Sequence, residues 1–135
     1  MLYNLQVPQG QYSVPAMPAT LMGGWPAGWA PMRAQRWYYI VYGNQIGRGG
    51  HTSLANHHPL PTVNGRAKTY FPWIGAELAS AIKQVAISPD EPPIAQGPLV
   101  RLHYGTINGV RILVIITRPS TTDAWEVWNA YPKAG

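Results

Sequence analysis

VRLHYGTINGVRILVIIT, residues 100–117, reads as two strands joined by a tight turn. Val100–Tyr104 alternates apolar and polar side chains, the period of a strand with one buried face. Asn108-Gly109 is the pair that most readily accepts positive φ at both central positions of a two-residue hairpin turn. Val110–Thr117 then carries an unbroken apolar run from Ile112 to Ile116, as a central buried strand does.

The rest of the chain is placed by working outward from this hairpin. Pro119–Asp123 turns, and Trp125–Tyr131 alternates as a closing strand. On the other side, residues 90–98 form a Pro-rich loop. Before it, Leu78, Ala81, Ile82 and Val85 fall at three- and four-residue spacing, with Ile74 just ahead, and predict a helix over Gly75–Ile87. Glu77 in its first turn and Lys83 near its end suit the helix dipole, and Ser88-Pro89 stops it. Residues 52–73, with Pro59, Pro61 and Pro72, read as a long loop, a length that compact domains usually reserve for function. Arg36–Tyr42 (RWYYIVY) is aromatic and β-branched and predicts another strand. It ends at Gly43-Asn44, and Gly47, Gly49 and Gly50 lead on to His51. Residues 1–35, dense in Pro, Gly, Met and Gln, read as an irregular arm or linker pinned through Trp25 and Trp29. Residues 36–135 are then the folded domain, an α+β fold with a helix packed on a mainly antiparallel β-sheet.

Composition narrows the chemistry. The 135 residues suit one domain; Gly and Pro number 14 each, and only 11% of residues are charged. The absence of cysteine excludes disulfides, a thiolate nucleophile and a Cys-ligated zinc site. No apolar run approaches the ~20 residues that span a bilayer. Residues 1–30 lack Lys and Arg, against a cleavable signal peptide, so an exported form is expected to travel within a larger protein. The net charge is +5, unevenly placed. Residues 1–76 hold Arg33, Arg36, Arg48, Arg66 and Lys68 and no acid, whereas all five acids lie from Glu77 to Glu126. An acid-free half suits a polyanionic ligand, or is a solvated surface that merely lacks acids.

Five scattered carboxylates make neither a glycosidase pair nor an oxygen cage for Mg²⁺ or Ca²⁺. There is no Walker loop and no G-x-S-x-G elbow. Histidine remains: His51, His57 and His58 lie close together near Lys68. They could ligate zinc, although adjacent rings share one metal awkwardly; they could be solvated loop residues; or two could act as acid and base. In the last case the ribose 2′-hydroxyl supplies the nucleophile, a lysine stabilises charge on the phosphate, and no metal is needed. His103, on the strand before the hairpin, reads as structural. Trp125 and Trp128 have opposite strand parity, so at most one is free to stack a base.

Several segments, in order, resemble the bacterial EndoU nuclease domain: Gly49-Gly50-His51, Lys68-Thr69-Tyr70-Phe71-Pro72, Val85-Ala86-Ile87-Ser88-Pro89-Asp90, Gly105-Thr106-Ile107-Asn108-Gly109-Val110-Arg111-Ile112, and Ala130-Tyr131-Pro132. The resemblance covers about residues 37–132. The resemblance implies a fold of the barnase–EndoU–colicin–RelE type and a metal-independent endoribonuclease that needs no cofactor. It further implies the toxin domain of a larger secreted effector, such as a contact-dependent inhibition protein, delivered to the target-cell cytoplasm. Such a domain would cut single-stranded RNA or tRNA at uridines, leave a 2′,3′-cyclic phosphate, act as a monomer, and be neutralised by an immunity protein, expected to be acidic. By position, His51 would be general acid or base, Lys68 would contact the phosphate, and Tyr131 would position substrate. Asn129, Arg48, Arg66 and Thr69 are the expected substrate contacts.

Two positions depart from the family pattern. Tyr39 stands where a first histidine is usual, so His57 or His58 must supply the second imidazole, or Tyr39 must fill the role with a pKa near 10. Asn129 replaces the Thr or Ser of the closing motif and still offers hydrogen bonds to a base. Two other readings follow: a catalytically degenerate EndoU-like module that binds RNA or protein, and an RNase A-like toxin, which lacks the Lys68–Pro72 and Gly105–Ile112 segments.

Overall fold

A computed structural model describes residues 16–42, 62–63, 66–67 and 71–133 of the chain. Its centre is a four-stranded antiparallel meander of β3 (Ile94–Ala95), β4 (Val100–Ile107), β5 (Val110–Thr117) and β6 (Glu126–Pro132), in that spatial order. Two further short strands, β1 (Thr62–Val63) and β2 (Arg66–Ala67), pair with each other inside the long loop. Two helices, α1 (Ala34–Tyr42) and α2 (Gly75–Ile87), pack on the meander, which makes the fold α+β.

The hairpin has the predicted turn. Asn108 and Gly109 have φ of 48° and 81°, so both central residues are left-handed, and β4 pairs with β5 along its whole length from Val100↔Thr117 to Ile107↔Val110. Helix α2 has the predicted bounds. It buries Leu78, Ala79, Ala81, Ile82, Val85 and Ala86 against β4 and β5. The approach is close at Gly105, where a Cβ would lie 2.9 Å from Cγ2 of Val85.

The expected strand over Arg36–Tyr42 is a helix. Aromatic and β-branched residues do suit a strand, but Trp37, Ile40 and Val41 also recur at helical spacing, and all three are buried while Tyr39 is exposed. Burying that stripe against β6 and the common core outweighs β-propensity, which is worth about 1 kcal/mol at most. Tyr39 therefore stands on a helix surface, not on a strand. The Pro-rich loop before β4 also contains β3, whose pairs are Ile94↔Leu102 and Ala95↔Arg101.

Residues 16–33 run irregularly apart from a short 3₁₀ turn at Ala19–Leu21, yet Leu21 and Met32 are core residues, exposed by 0% and 2%. Trp25 stacks on Trp29, and Trp29 bridges to Trp125 at the start of β6, with the Ala30 N–H donating to the Trp125 carbonyl. Lys83 is not a cation for the last turn of α2. Its ammonium donates to the carbonyls of Thr20 (2.7 Å) and Gly23 and so latches residues 20–23 to the helix.

The strand period separates two sheet faces. His103, Gly105, Ile112, Val114, Ile116, Val127 and Ala130 are all buried beneath the helices. Leu102, Tyr104, Leu113, Ile115, Asn129 and Tyr131 line the opposite face, on which no described helix packs.

Candidate functional site

Three of the expected site residues have described side chains. Asn129 and Tyr131 lie two residues apart on β6, with registers Ile115↔Asn129 and Leu113↔Tyr131, so both belong to the face turned away from the described helices. Continuing the rows across β5 to β4 gives Tyr104–Leu113–Tyr131 and Leu102–Ile115–Asn129. Two tyrosines thus flank a leucine that is only 3% exposed.

Cations accompany both tyrosines. The Arg111 guanidinium lies 5.1 Å from the Tyr104 ring centroid, and the Lys133 ammonium 5.9 Å from that of Tyr131. Glu91 holds Arg111 at 2.7 Å and Asp90 reaches it at 3.9 Å, so its charge is largely matched. The Asn129 side-chain oxygen accepts the Ala130 backbone N–H at 2.9 Å, leaving its amide NH₂ as the group that can donate to a ligand. This face carries two tyrosines, an amide donor and a lysine, residue types that bind a base and an anion.

Tyr39 does not join it. The helix places Tyr39 beside Arg36, whose guanidinium lies 4.8 Å from the Tyr39 ring and 3.8 Å from that of Trp128. Burial lowers the Arg36 pKa, an effect opposed by Tyr39, and the group remains charged at neutral pH. Arg36 also donates from Nε to the Trp128 carbonyl at 2.7 Å, which ties α1 to β6. This cluster was not legible as a site in a strand reading. At helical spacing, however, Arg33, Arg36 and Tyr39 share one side of α1.

His51, His57, His58, Arg48, Lys68 and Thr69 lie outside the described residues, and for Arg66 only the backbone of β2 is described. Among the described residues no three His, Asp or Glu side chains gather as a cation site, and no helix is long and apolar enough to cross a membrane.

The two tryptophans at the closing strand differ in exposure, with Trp125 just before β6 and Trp128 at its bulge, where strict alternation is interrupted. Trp125 is 8% exposed and sandwiched between Arg101 and Arg118, whose guanidiniums lie 4.1 and 4.2 Å from its ring. Trp128 is 42% exposed. His103 is structural: its Nδ1–H donates to the Ala86 carbonyl at 2.8 Å, within the last turn of α2. Comparison of the chain with protein-family models, with curated proteins and with solved structures finds no match in any of the three.

Proposed function

We propose that the chain is a metal-independent endoribonuclease of the EndoU type, the toxin domain of a larger secreted bacterial effector. The observation that carries this reading is that Asn129 and Tyr131 share the sheet face turned away from the described helices, at the closing-strand positions where the EndoU resemblance expects substrate contacts. The acid-free half from residue 1 to 76 supports it, since carboxylates there would repel a phosphate backbone.

In this reading His51 removes the proton from a ribose 2′-hydroxyl. The 2′-oxygen attacks the adjacent phosphorus, the bond to the 5′-oxygen breaks, and a second imidazole, His57 or His58, protonates that leaving oxygen. The products are a 2′,3′-cyclic phosphate and a 5′-hydroxyl. Lys68 stabilises the charge that develops on the phosphoryl oxygens. Arg48, Arg66 and Thr69 contact the backbone, while Asn129 and Tyr131 hold the base. The natural antagonist is an acidic immunity protein.

A second reading has one observation in its favour. Tyr39, at the position of the usual first histidine, is engaged in a stack with Arg36. A chain without a replacement imidazole would be a degenerate module that binds RNA or protein without cutting.

Incubating purified chain with total RNA in EDTA, followed by end-group analysis, separates the two. The expected result is cyclic-phosphate ends, with cleavage reduced ~10²–10⁴-fold by His51→Ala and by one of His57→Ala or His58→Ala. RNA left intact, with and without added Mn²⁺, would overturn the nuclease reading.

A further inference from the structure

Four side chains form a continuous stack on the outside of the molecule, where α1 meets β6. Arg33 sits at the start of the helix, its carbonyl accepting the N–H groups of Arg36 and Trp37, and Arg36 and Tyr39 follow at three-residue intervals along one side. Trp128 is the extra residue at the bulge of β6, between the pairs Ile115↔Asn129 and Ile116↔Val127. The Arg36 guanidinium lies 3.8 Å from the Trp128 ring centroid and 4.8 Å from that of Tyr39, and the Arg33 guanidinium lies 5.9 Å from Trp128.

Among the described residues each arginine donates through Nε alone. Arg33 donates to Glu126 at 2.8 Å and Arg36 to the Trp128 carbonyl at 2.7 Å. Their terminal NH₂ groups have no hydrogen-bond partner among the described residues. Trp128 and Tyr39 are 42% and 41% exposed, unusual for residues with so much apolar area. Two guanidinium forks face one carboxylate, so the patch keeps a positive charge.

We infer that this stack is a docking track for single-stranded RNA, with bases laid against the Trp128 and Tyr39 rings and phosphates taken by the open ends of Arg33 and Arg36. The choice of RNA over other polyanions rests on the endoribonuclease reading. Single-stranded, not duplex, RNA fits because only unpaired bases offer their faces to aromatic rings and guanidinium planes. The Nε contacts, of Arg33 with the Glu126 carboxylate and of Arg36 with the Trp128 carbonyl, already hold both guanidiniums, so little side-chain freedom is lost on binding.

The test is fluorescence anisotropy with labelled oligouridine bearing 2′-O-methyl groups, which lacks the nucleophile for cleavage, and with a duplex of the same length. Total-RNA cleavage is measured beside it. Trp128→Leu and Tyr39→Leu are each expected to raise Kd about 5- to 100-fold, as loss of a base stack does. Arg36→Lys is expected to weaken binding while leaving the salt slope unchanged, because it keeps the charge and loses the planar fork. Thermal melts report folding, and Tyr39→Leu leaves the Arg36 bond between α1 and β6 in place.

Unchanged affinity in both aromatic variants overturns the track, even if the chain cuts RNA. Equal affinity for the duplex overturns it too. Competition by polyglutamate as strong as by oligouridine makes the patch a surface for an acidic protein and overturns the RNA assignment. Stack-dependent binding by a chain that leaves total RNA intact keeps the track and removes the nuclease reading instead.

Discussion

His103 is the one buried polar side chain among the described residues, and its two ring nitrogens are treated differently. Nδ1 carries the proton and donates it to Ala86, which satisfies one of the carbonyls left open at the end of α2. Nε2 is buried with no partner, and the edge of the ring system meets Trp29 at 5.9 Å between centroids. Protonating Nε2 would place a cation and an unpaired donor in that site. Burial accordingly lowers the His103 pKa; the Ala86 bond works against this and the Arg101 charge adds to it. A histidine with a lowered folded-state pKa binds fewer protons folded than unfolded, so stability falls as the pH drops through ~6.5 and levels off only below the folded value. Urea unfolding between pH 8 and pH 5 should show a midpoint that declines below about pH 6.5. His103→Leu should lower the midpoint at pH 8, through loss of the Ala86 bond, and flatten the decline. A variant as pH-sensitive as the parent would assign the effect elsewhere.

At the level of the elements, Gly105 shows why a sequence motif can be a packing requirement. A methyl group there would lie 2.9 and 3.2 Å from the two Cγ atoms of Val85, which are held by the buried face of α2. Gly105→Ala should therefore destabilise by ~1–3 kcal/mol, as overpacking does, and Val85→Ala in the same chain should recover part of the loss. Equal or additive losses in the double-mutant cycle would show that the contact is not the cause. The β4–β5 hairpin and α2 are legible in the sequence because their signals are local: a two-residue turn and a helical stripe a few residues long. Helix α1 is not, since Trp37, Tyr38, Tyr39, Ile40 and Val41 satisfy strand propensity and helical spacing together, and only the partner surface decides between them. The same holds for the candidate site. Asn129 and Tyr131 share a face through a period of two that the sequence displays. The Arg36–Trp128 stack joins residues 92 apart across a bulge, which no local pattern announces.

For the molecule as a whole, residues 16–33 matter more than their composition suggests. Leu21 is fully buried in the same core as α2 and β5, and Lys83 and Trp125 both spend polar contacts on this segment. Leu21→Ala should cost about 2–5 kcal/mol, the usual range for a buried leucine, out of a total of ~5–15 kcal/mol. A melting temperature within a degree or two of the parent's would mean that the segment is dispensable to the core. Any shortened form used for the RNA experiments must keep it.

The meander also leaves little backbone for another chain to pair with. One edge is β3, two residues long and preceded by Pro92 and Pro93, which have no N–H to donate. The other is β6, just before which Gly28 and Ala30 pair with Trp125, and within which Arg36 occupies the Trp128 carbonyl and Pro132 closes the strand. Among the described residues, then, parts of both sheet edges are closed to a second copy or to an added strand. A protein that bound these described edges would be held through side chains, by shape and charge, and its contacts would be correspondingly easy to lose to single substitutions.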